Sequence, residues 1–268
     1  MSLTRAEILN IRNLRHRRER KRLGLFVVEG LKSVMELQRS PLQTRNIWAT
    51  AKGIESMPPD SQKDVKVVPS QVMARMSSLK TPPGILATAE MPQLNWSDWL
   101  NVVEKHPIPL VLVADGLNDP GNVGTLIRTA HWLGCSGVAL IQGSADPFNA
   151  KTVQASMGSV FHMPILEIPL AEWLDSWPGT CAVLEADGQS LDQYHPDPQE
   201  TLALVVGSES HGPQPDWSQT QAVRLGIPMG TSGGHREAPE SLNAAMAAGI
   251  AAAEITRKWR MTSLSVGH

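Results

Sequence analysis

The sequence predicts an α/β protein of two domains, the larger built on a mostly parallel sheet. Three observations carry this expectation. At 268 residues the chain exceeds one average domain. From residue 110 onward, continuous apolar runs alternate with helix-like stretches, the pattern of parallel strands buried on both faces. A proline-interrupted stretch, residues 91–109, separates that half from a shorter α/β pattern before it. With 41% hydrophobic and 19% charged residues the chain can fill real cores, which argues against disorder except at the ends, and its net charge of −2 argues against a protein that coats nucleic acid.

Taken in order, the first third places strands at 26–28, 47–49, 65–68 and 85–87 and helices at 31–37 and 72–76, a small α/β unit. The stretch 91–109 carries Pro92, Pro107 and Pro109 with Trp96 and Trp99, and reads as a connector holding one short helix. The domains are therefore expected at 1–92 and 108–268, with a linker at 93–107. A strand at 110–114 leads through a polar turn into a helix at 125–133, which Gly134 stops. Strands at 138–141, 163–166, 181–184, 202–206 and 222–227 follow, with helices at 151–157 and 171–177. The final helix, 240–259, is Ala-rich, opens behind Pro239 and Ser241, and ends in Arg257, Lys258 and Arg260, cations suited to a helix C-terminus.

No apolar run approaches the roughly 20 residues that span a bilayer, and charges stand where a signal peptide needs its apolar segment. A cytosolic protein without membrane partners is expected. Cys135 and Cys181 form no C-x-x-C pair and are read as reduced, buried thiols. Nothing requires a metal, and His211 and His235 lack a plausible ligand set.

The net charge of −2 hides a strong asymmetry. Residues 1–32 hold nine Lys/Arg against Glu7, Glu19 and Glu29, a formal +6 that leaves −8 for the rest. Arg15, Arg17, Arg18, Arg20 and Arg22 thus form a candidate RNA-binding segment, since phosphate contacts dominate nucleic-acid affinity. A solvated basic helix without a partner has the same pattern.

Three segments of the second domain set Gly, Asn and Pro after buried strands, where open parallel sheets bind ligands. The first, 115–128, holds Gly121, Asn122, Gly124 and Arg128; alone it could be a nucleotide-phosphate loop, although the G-x-G-x-x-G spacing and the Walker lysine are absent. In the second, 204–212, an apolar strand delivers Gly207 and then the lone carboxylate Glu209. The third runs Ile227-Pro228-Met229, a Gly-rich loop, then Ser241-Leu242-Asn243, residue types that also favour a plain helix start.

In this order and spacing the three segments resemble the signature motifs of the SpoU/TrmH family of RNA methyltransferases, in the knotted SPOUT superfamily. Asn122, Gly124 and Arg128 match the first motif, Gly207, Ser208 and Glu209 the second, and Ile227, Pro228, Met229, Ser241, Leu242 and Asn243 the third. The resemblance spans residues 108–260, and 151–164, with its Ala-Ser-Met-Gly core, is similar to the family's intervening helix and strand. The basic start and Phe-Val-Val-Glu-Gly30 resemble the family's L30e-like substrate-binding domain. Two departures stand out: the loop 230–239 is several residues longer than usual, and Ser210 replaces a Gly.

The resemblance implies a trefoil-knotted C-terminal domain, a homodimer, and methylation of a ribose 2′-hydroxyl in structured RNA using S-adenosylmethionine. It implies that Gly207, Ile227, Met229 and Leu242 hold the cofactor, and that Arg128, Asn122, Glu209, Ser241 and Asn243 are catalytic. Ribosomal RNA is expected over tRNA, because a separate L30e-like domain is present and the tRNA branch's C-terminal extension is missing. Competing readings are a tRNA 2′-O-methyltransferase, a knotted enzyme acting on a base, an RNA-binding module that has lost catalysis, and a phosphate-binding α/β enzyme.

Overall fold

The computed structural model describes residues 3–229 and 241–265. Its contacts divide the chain into two compact units, one of residues 1–93 with 146–162, the other of residues 94–145 with 163–268. The longer loop 230–239 and His235 lie outside the described residues.

The N-terminal unit begins with α1 (Arg5–Asn13) and α2 (Arg17–Leu23), then β1 (Leu25–Glu29), α3 (Leu31–Arg39), β2 (Thr44–Ala49), α4 (Ala51–Glu55), β3 (Val65–Val67), α5 (Ser70–Met76) and β4 (Ile85–Glu90). Its four strands lie in the order β1-β4-β2-β3, with only β2 and β3 parallel. Local chemistry fixes the helix starts and stops. Thr4 and Glu7 form a reciprocal capping box at α1, and the Thr4 backbone N–H holds the Glu7 carboxyl below its usual range. Gly24, at φ 64°, stops α2 in the left-handed conformation that suits a residue without Cβ.

The C-terminal unit contains α6 (Trp96–Glu104), β5 (Leu110–Asp115), α7 (Pro120–Leu133) and β6 (Gly137–Ile141). After a segment carrying α8 (Ala150–Ala155), it resumes with β7 (Ile165–Ile168), α9 (Leu170–Ser176), β8 (Thr180–Ser190), β9 (Leu202–Gly207), β10 (Val223–Gly226) and α10 (Ala244–Ser265). Its six strands are all paired in parallel, in the order β10-β8-β9-β5-β6-β7. The inner strands β5, β6 and β9 are buried at every residue, as their unbroken apolar runs require. One core joins Val111, Val113, Ala203 and Val205 to the tryptophans Trp99, Trp173 and Trp217. Trp173 and Trp177 stack at 4.6 Å, and the Trp99 indole N–H donates to the Pro164 carbonyl at 3.2 Å. The short helix expected in the connector is α6, and it buries Trp99 and Val103 in this core. On the other side α10 packs against α7, with Gly249 close enough that a Cβ there would meet Thr129 at 3.4 Å. No helix among the described residues is long and apolar enough to cross a membrane.

Two features depart from the sequence pattern. Strand β8 continues to Ser190, and its ladder to β10 jumps from Arg224 opposite Val183 to Leu225 opposite Gln189. The close approach depends on two glycines: a Cβ on Gly188 would lie 2.5 Å from the Leu225 carbonyl carbon, and one on Gly226 would lie 2.7 Å from the Gly188 oxygen. Residues 146–162, including α8, group with the N-terminal unit rather than with the strands on either side of them. There Phe148 and Phe161 pack on Phe26, at centroid distances of 4.9 and 6.1 Å.

That packing overturns one expected RNA contact. Arg20 is only 2% exposed. Its guanidinium donates to the carbonyls of Leu14 at 2.7 Å and Arg15 at 2.9 Å, and pairs with buried Asp146 at 2.8 Å. Charge runs in one dimension do not reveal which side faces inward; on α2 it is the side that carries Arg20. Breaking a buried pair strands the surviving charge, at a cost of about 3–5 kcal/mol. Arg20→Ala is therefore expected to lower urea-derived stability by about 3 kcal/mol or more, while Arg18→Ala, on the exposed face, stays within about 0.5 kcal/mol of wild type. Equal effects of the two substitutions would contradict the assignment.

Candidate active site

The three motif segments lie beyond the carboxyl ends of β5, β9 and β10. The chain leaves β5 toward β6 and β7 on one side and returns to place β9, β8 and β10 on the other, so the strand order reverses beside β5. Open parallel sheets present ligand sites at such a point. Strands β5 and β9 end level, Asp115 opposite Gly207.

From β5 the chain turns at Gly116 (φ 70°) and enters α7 five residues earlier than its apolar period suggests. Asp119 is the reason. Its carboxylate accepts from the backbone N–H groups of Gly121 at 2.7 Å and Asn122 at 3.1 Å, and Pro120 occupies the first turn, where its missing N–H costs nothing. Asn122 thereby sits in the opening turn of the helix.

From β9 the chain folds straight back on itself. Ser208 and Gly212 exchange backbone hydrogen bonds of 3.0 and 2.8 Å, with Gly212 at φ 68°, and the Ser208 hydroxyl accepts from the His211 N–H. This tight return needs a bare Gly207, because a Cβ there would stand 2.0 Å from both the Gly212 carbonyl carbon and the Pro213 nitrogen. Glu209 rides on the exposed crest of the turn. Ser210, the departure from the motif, is also exposed and hydrogen-bonds the neighbouring His211 ring at 2.7 Å.

Three of the five expected catalytic residues meet. The Asn122 amide donates to Glu209 Oε1 at 3.0 Å; the Asn243 amide donates to Asn122 Oδ1 at 3.1 Å and also to Glu209 Oε1. Asn243 at the same time caps α10, its side-chain oxygen accepting from the Met246 N–H at 3.2 Å and its carbonyl from Ala247 at 2.9 Å. Residues 122, 209 and 243, far apart in sequence, thus form one polar cluster. Its two amides fix one oxygen of the carboxylate.

The other two take no part in those hydrogen bonds. Arg128 lies exposed on α7, six residues and so about 120° around the helix from Asn122. Ser241 is exposed just before α10. Of the expected cofactor residues, Gly207 is buried, Ile227 is half-buried, and Leu242 and Met229 are 45% and 63% exposed, large apolar side chains left facing solvent beside the cluster's loops. Among the expected RNA contacts, Arg15, Arg17, Arg18 and Arg22 are exposed; Arg17 leans on Asp146 at 3.4 Å and Arg22 pairs with Glu19 at 2.8 Å.

Sequence reasoning passed over Asp115, which ends β5 at 1% exposure and accepts three hydrogen bonds. Its signal was present: an acid closing a strand buried on both faces must find donors. Neither cysteine offers a nucleophile, since burial raises the Cys135 thiol to about 12 and the Cys181 thiol to about 11. Among the described residues no three His, Cys, Asp or Glu side chains gather as a metal site.

The chain matches the model of the SpoU rRNA methylase family over residues 109–253 and that of an MRM3-like substrate binding domain over residues 5–87. It is 31% identical, over 89% of its own length and 91% of the other, to the 23S rRNA (guanosine(2553)-2′-O)-methyltransferase RlmP of Bacillus subtilis. It is 26% identical to the 23S rRNA (uridine(2479)-2′-O)-methyltransferase of Streptomyces viridochromogenes, over 88% of this chain and 83% of that one. Among solved structures, an AdoMet-bound rRNA methyltransferase from Sinorhizobium meliloti superposes with a TM-score of 0.77 at 25% identity, covering 96% of both chains.

Gly207→Ala tests the turn. Placing a methyl group against fixed backbone is expected to lower stability by about 1–3 kcal/mol and to displace the turn, whereas Ser210→Gly leaves both unchanged. Urea unfolding and the amide spectrum of residues 207–213 report the outcome, and a wild-type spectrum for Gly207→Ala would refute the close approach.

Proposed function

This chain belongs to the SpoU rRNA methylase family, and on that premise we propose that it transfers a methyl group from S-adenosylmethionine to a ribose 2′-hydroxyl of ribosomal RNA. The observation that carries the reading is the Asn122–Glu209–Asn243 cluster, which assembles three separate loops at the switch point of a parallel sheet. The chain's span matches nearly the whole length of RlmP, a 23S rRNA (guanosine(2553)-2′-O)-methyltransferase.

The residues present fit the cofactor. Exposed Leu242 and Met229, with half-buried Ile227, offer apolar cover for an adenine, and bare Gly207 leaves its backbone open to close approach. When bound, S-adenosylmethionine supplies an electrophilic methyl on a sulfonium. In this reading the C-terminal unit closes around it as a trefoil knot, and the L30e-like unit, residues 1–93 with 146–162, holds RNA through Arg15, Arg17, Arg18 and Arg22; the stretch expected as a linker at 93–107 instead belongs almost wholly to the C-terminal unit, whose core α6 enters.

Methyl transfer requires the hydroxyl in line with the methyl carbon, so fixing the ribose supplies much of the rate. Asn122 orients Arg128 or the ribose, and Glu209 fixes the hydrogen bonds of the pocket. Ser241 and Asn243 hold the adjoining phosphate at the N-terminus of α10, where backbone N–H groups favour an anion. A guanidinium stays protonated, so Arg128 acts either with a target phosphate that takes part in proton removal or as a cation stabilising the developing alkoxide. The exposed apolar side chains on the packed pair α7 and α10, Trp132 at 88%, Met246 at 58% and Ile250 at 42%, support a homodimer formed through that face.

Isothermal titration with S-adenosylmethionine and S-adenosylhomocysteine, on protein whose dimeric state is checked by sedimentation, tests the class. Micromolar binding is expected, and failure to bind both ligands even with RNA present would overturn it. With binding established, Arg128→Ala is expected to keep cofactor affinity and lose about a hundredfold or more in turnover; near-wild-type turnover would remove Arg128 from the mechanism.

A further inference from the structure

Glu209 rides on the turn after β9 and Asn122 on the opening turn of α7, and one residue anchors the chain on the way to both. Asp115 is the last residue of β5, and the loop that follows it leads to Asn122. Across the ladder it faces Gly207, where the turn bearing Glu209 begins. The same turn ends on the Asp115 side chain. Asp115 Oδ2 accepts the Gln214 backbone N–H at 2.7 Å, and Oδ1 accepts the Gln214 side-chain amide at 2.5 Å. Both ends of the excursion 208–213 are thus anchored to one residue.

The anchor is itself held. Asp115 Oδ2 also accepts the indole N–H of Trp217 at 2.9 Å, and Trp217 is fully buried. The Trp217 carbonyl receives Arg224 of β10, whose other nitrogen donates to Glu185 of β8 at 2.7 Å. Arg224 lies three residues before Ile227. A chain of hydrogen bonds, Asp115–Trp217–Arg224–Glu185, therefore ties the end of β5 to β10 and β8. On the far side, Ser144 donates to the Ala114 carbonyl at 3.0 Å and accepts the Leu117 N–H at 3.1 Å, pinning the strand end from which the first loop departs.

We propose that Asp115 is a positioning residue for methyl transfer, acting through Gln214 and Trp217 to set the offset between Glu209 and Asn122. A carboxylate with both oxygens accepting in a buried site is more than hydrophobic filling requires, and an asparagine could not replace it: one of its two terminal atoms would be an NH₂ facing a donor. A displacement of about 1 Å at such a site can cost about a hundredfold in rate. The inference rests on the methyltransferase reading for its catalytic consequence, but not for the brace itself.

The test compares Asp115→Asn and Trp217→Phe, each alone and with Glu209→Gln. In cofactor-free protein, amide exchange at 208–214 is expected to quicken about tenfold or more, with β5 and β9 unchanged. At saturating cofactor and RNA, turnover is expected to fall about tenfold or more in the Glu209 background and much less once Glu209 is glutamine. Unchanged exchange and turnover in folded variants, or equal losses in both backgrounds, would overturn the proposal. Should Asp115→Asn fail to fold, Gln214→Ala removes only the side-chain donor and is read by the same criteria. Wild-type protein without methyltransferase activity would defeat the functional reading while exchange at 208–214 still judged the brace.

Discussion

The architecture of the candidate site depends on the level ending of two neighbouring parallel strands. Where β5 stops at Asp115, β9 stops at Gly207 directly across the ladder, and the strand order of the sheet reverses beside them. From this fixed edge Asp119 opens α7 beneath Asn122, and the bare Gly207 lets the next turn double back to carry Glu209. Helix α10, capped by Asn243, packs on α7 and closes the cluster. The polar contacts are modest one by one, each worth about 0.5–1.5 kcal/mol net. What makes them specific is that rigid strands and helix ends hold their donors and acceptors in place before any substrate arrives.

The N-terminal unit rests on a different interaction. Its basic opening segment is divided by one buried ion pair: Arg20 turns inward to Asp146 and to two carbonyls, and its neighbours remain at the surface. A segment encoded between two strands of the other sheet is drawn into this unit by that pair and by Phe148 and Phe161 against Phe26. The exposed positive charge of α2 and the packing that orders it thus come from the same short run of arginines.

Much of this was legible in the amino-acid sequence. Unbroken apolar runs pointed to the inner parallel strands because both faces of such a strand are buried, and family resemblance singled out Asn122, Glu209 and Asn243, which the structure brings into one cluster. What remained hidden depends on the third dimension. Pro120 and Gly121 looked like a turn, yet capped by Asp119 they begin a helix. The extension of β8 past residue 184 follows from a backbone approach that only Gly188 and Gly226 permit, with no hydrophobic periodicity to betray it. Arg20 could not be told from Arg18 without knowing where Asp146 would lie. Asp115 was visible as an acid at the end of a buried strand, but its partners Gln214 and Trp217 are about a hundred residues away.

The central claim is that this sheet edge methylates a ribose oxygen, and the product's response to alkali examines it most directly. Ribosomal RNA from cells lacking the protein would be incubated with the enzyme and methyl-labelled S-adenosylmethionine, then hydrolysed in base. A 2′-O-methyl group removes the nucleophile that cleaves the adjoining phosphodiester, so the account predicts that the label emerges in an alkali-resistant dinucleotide. Label recovered in a mononucleotide would place the methyl group on a base and contradict the account.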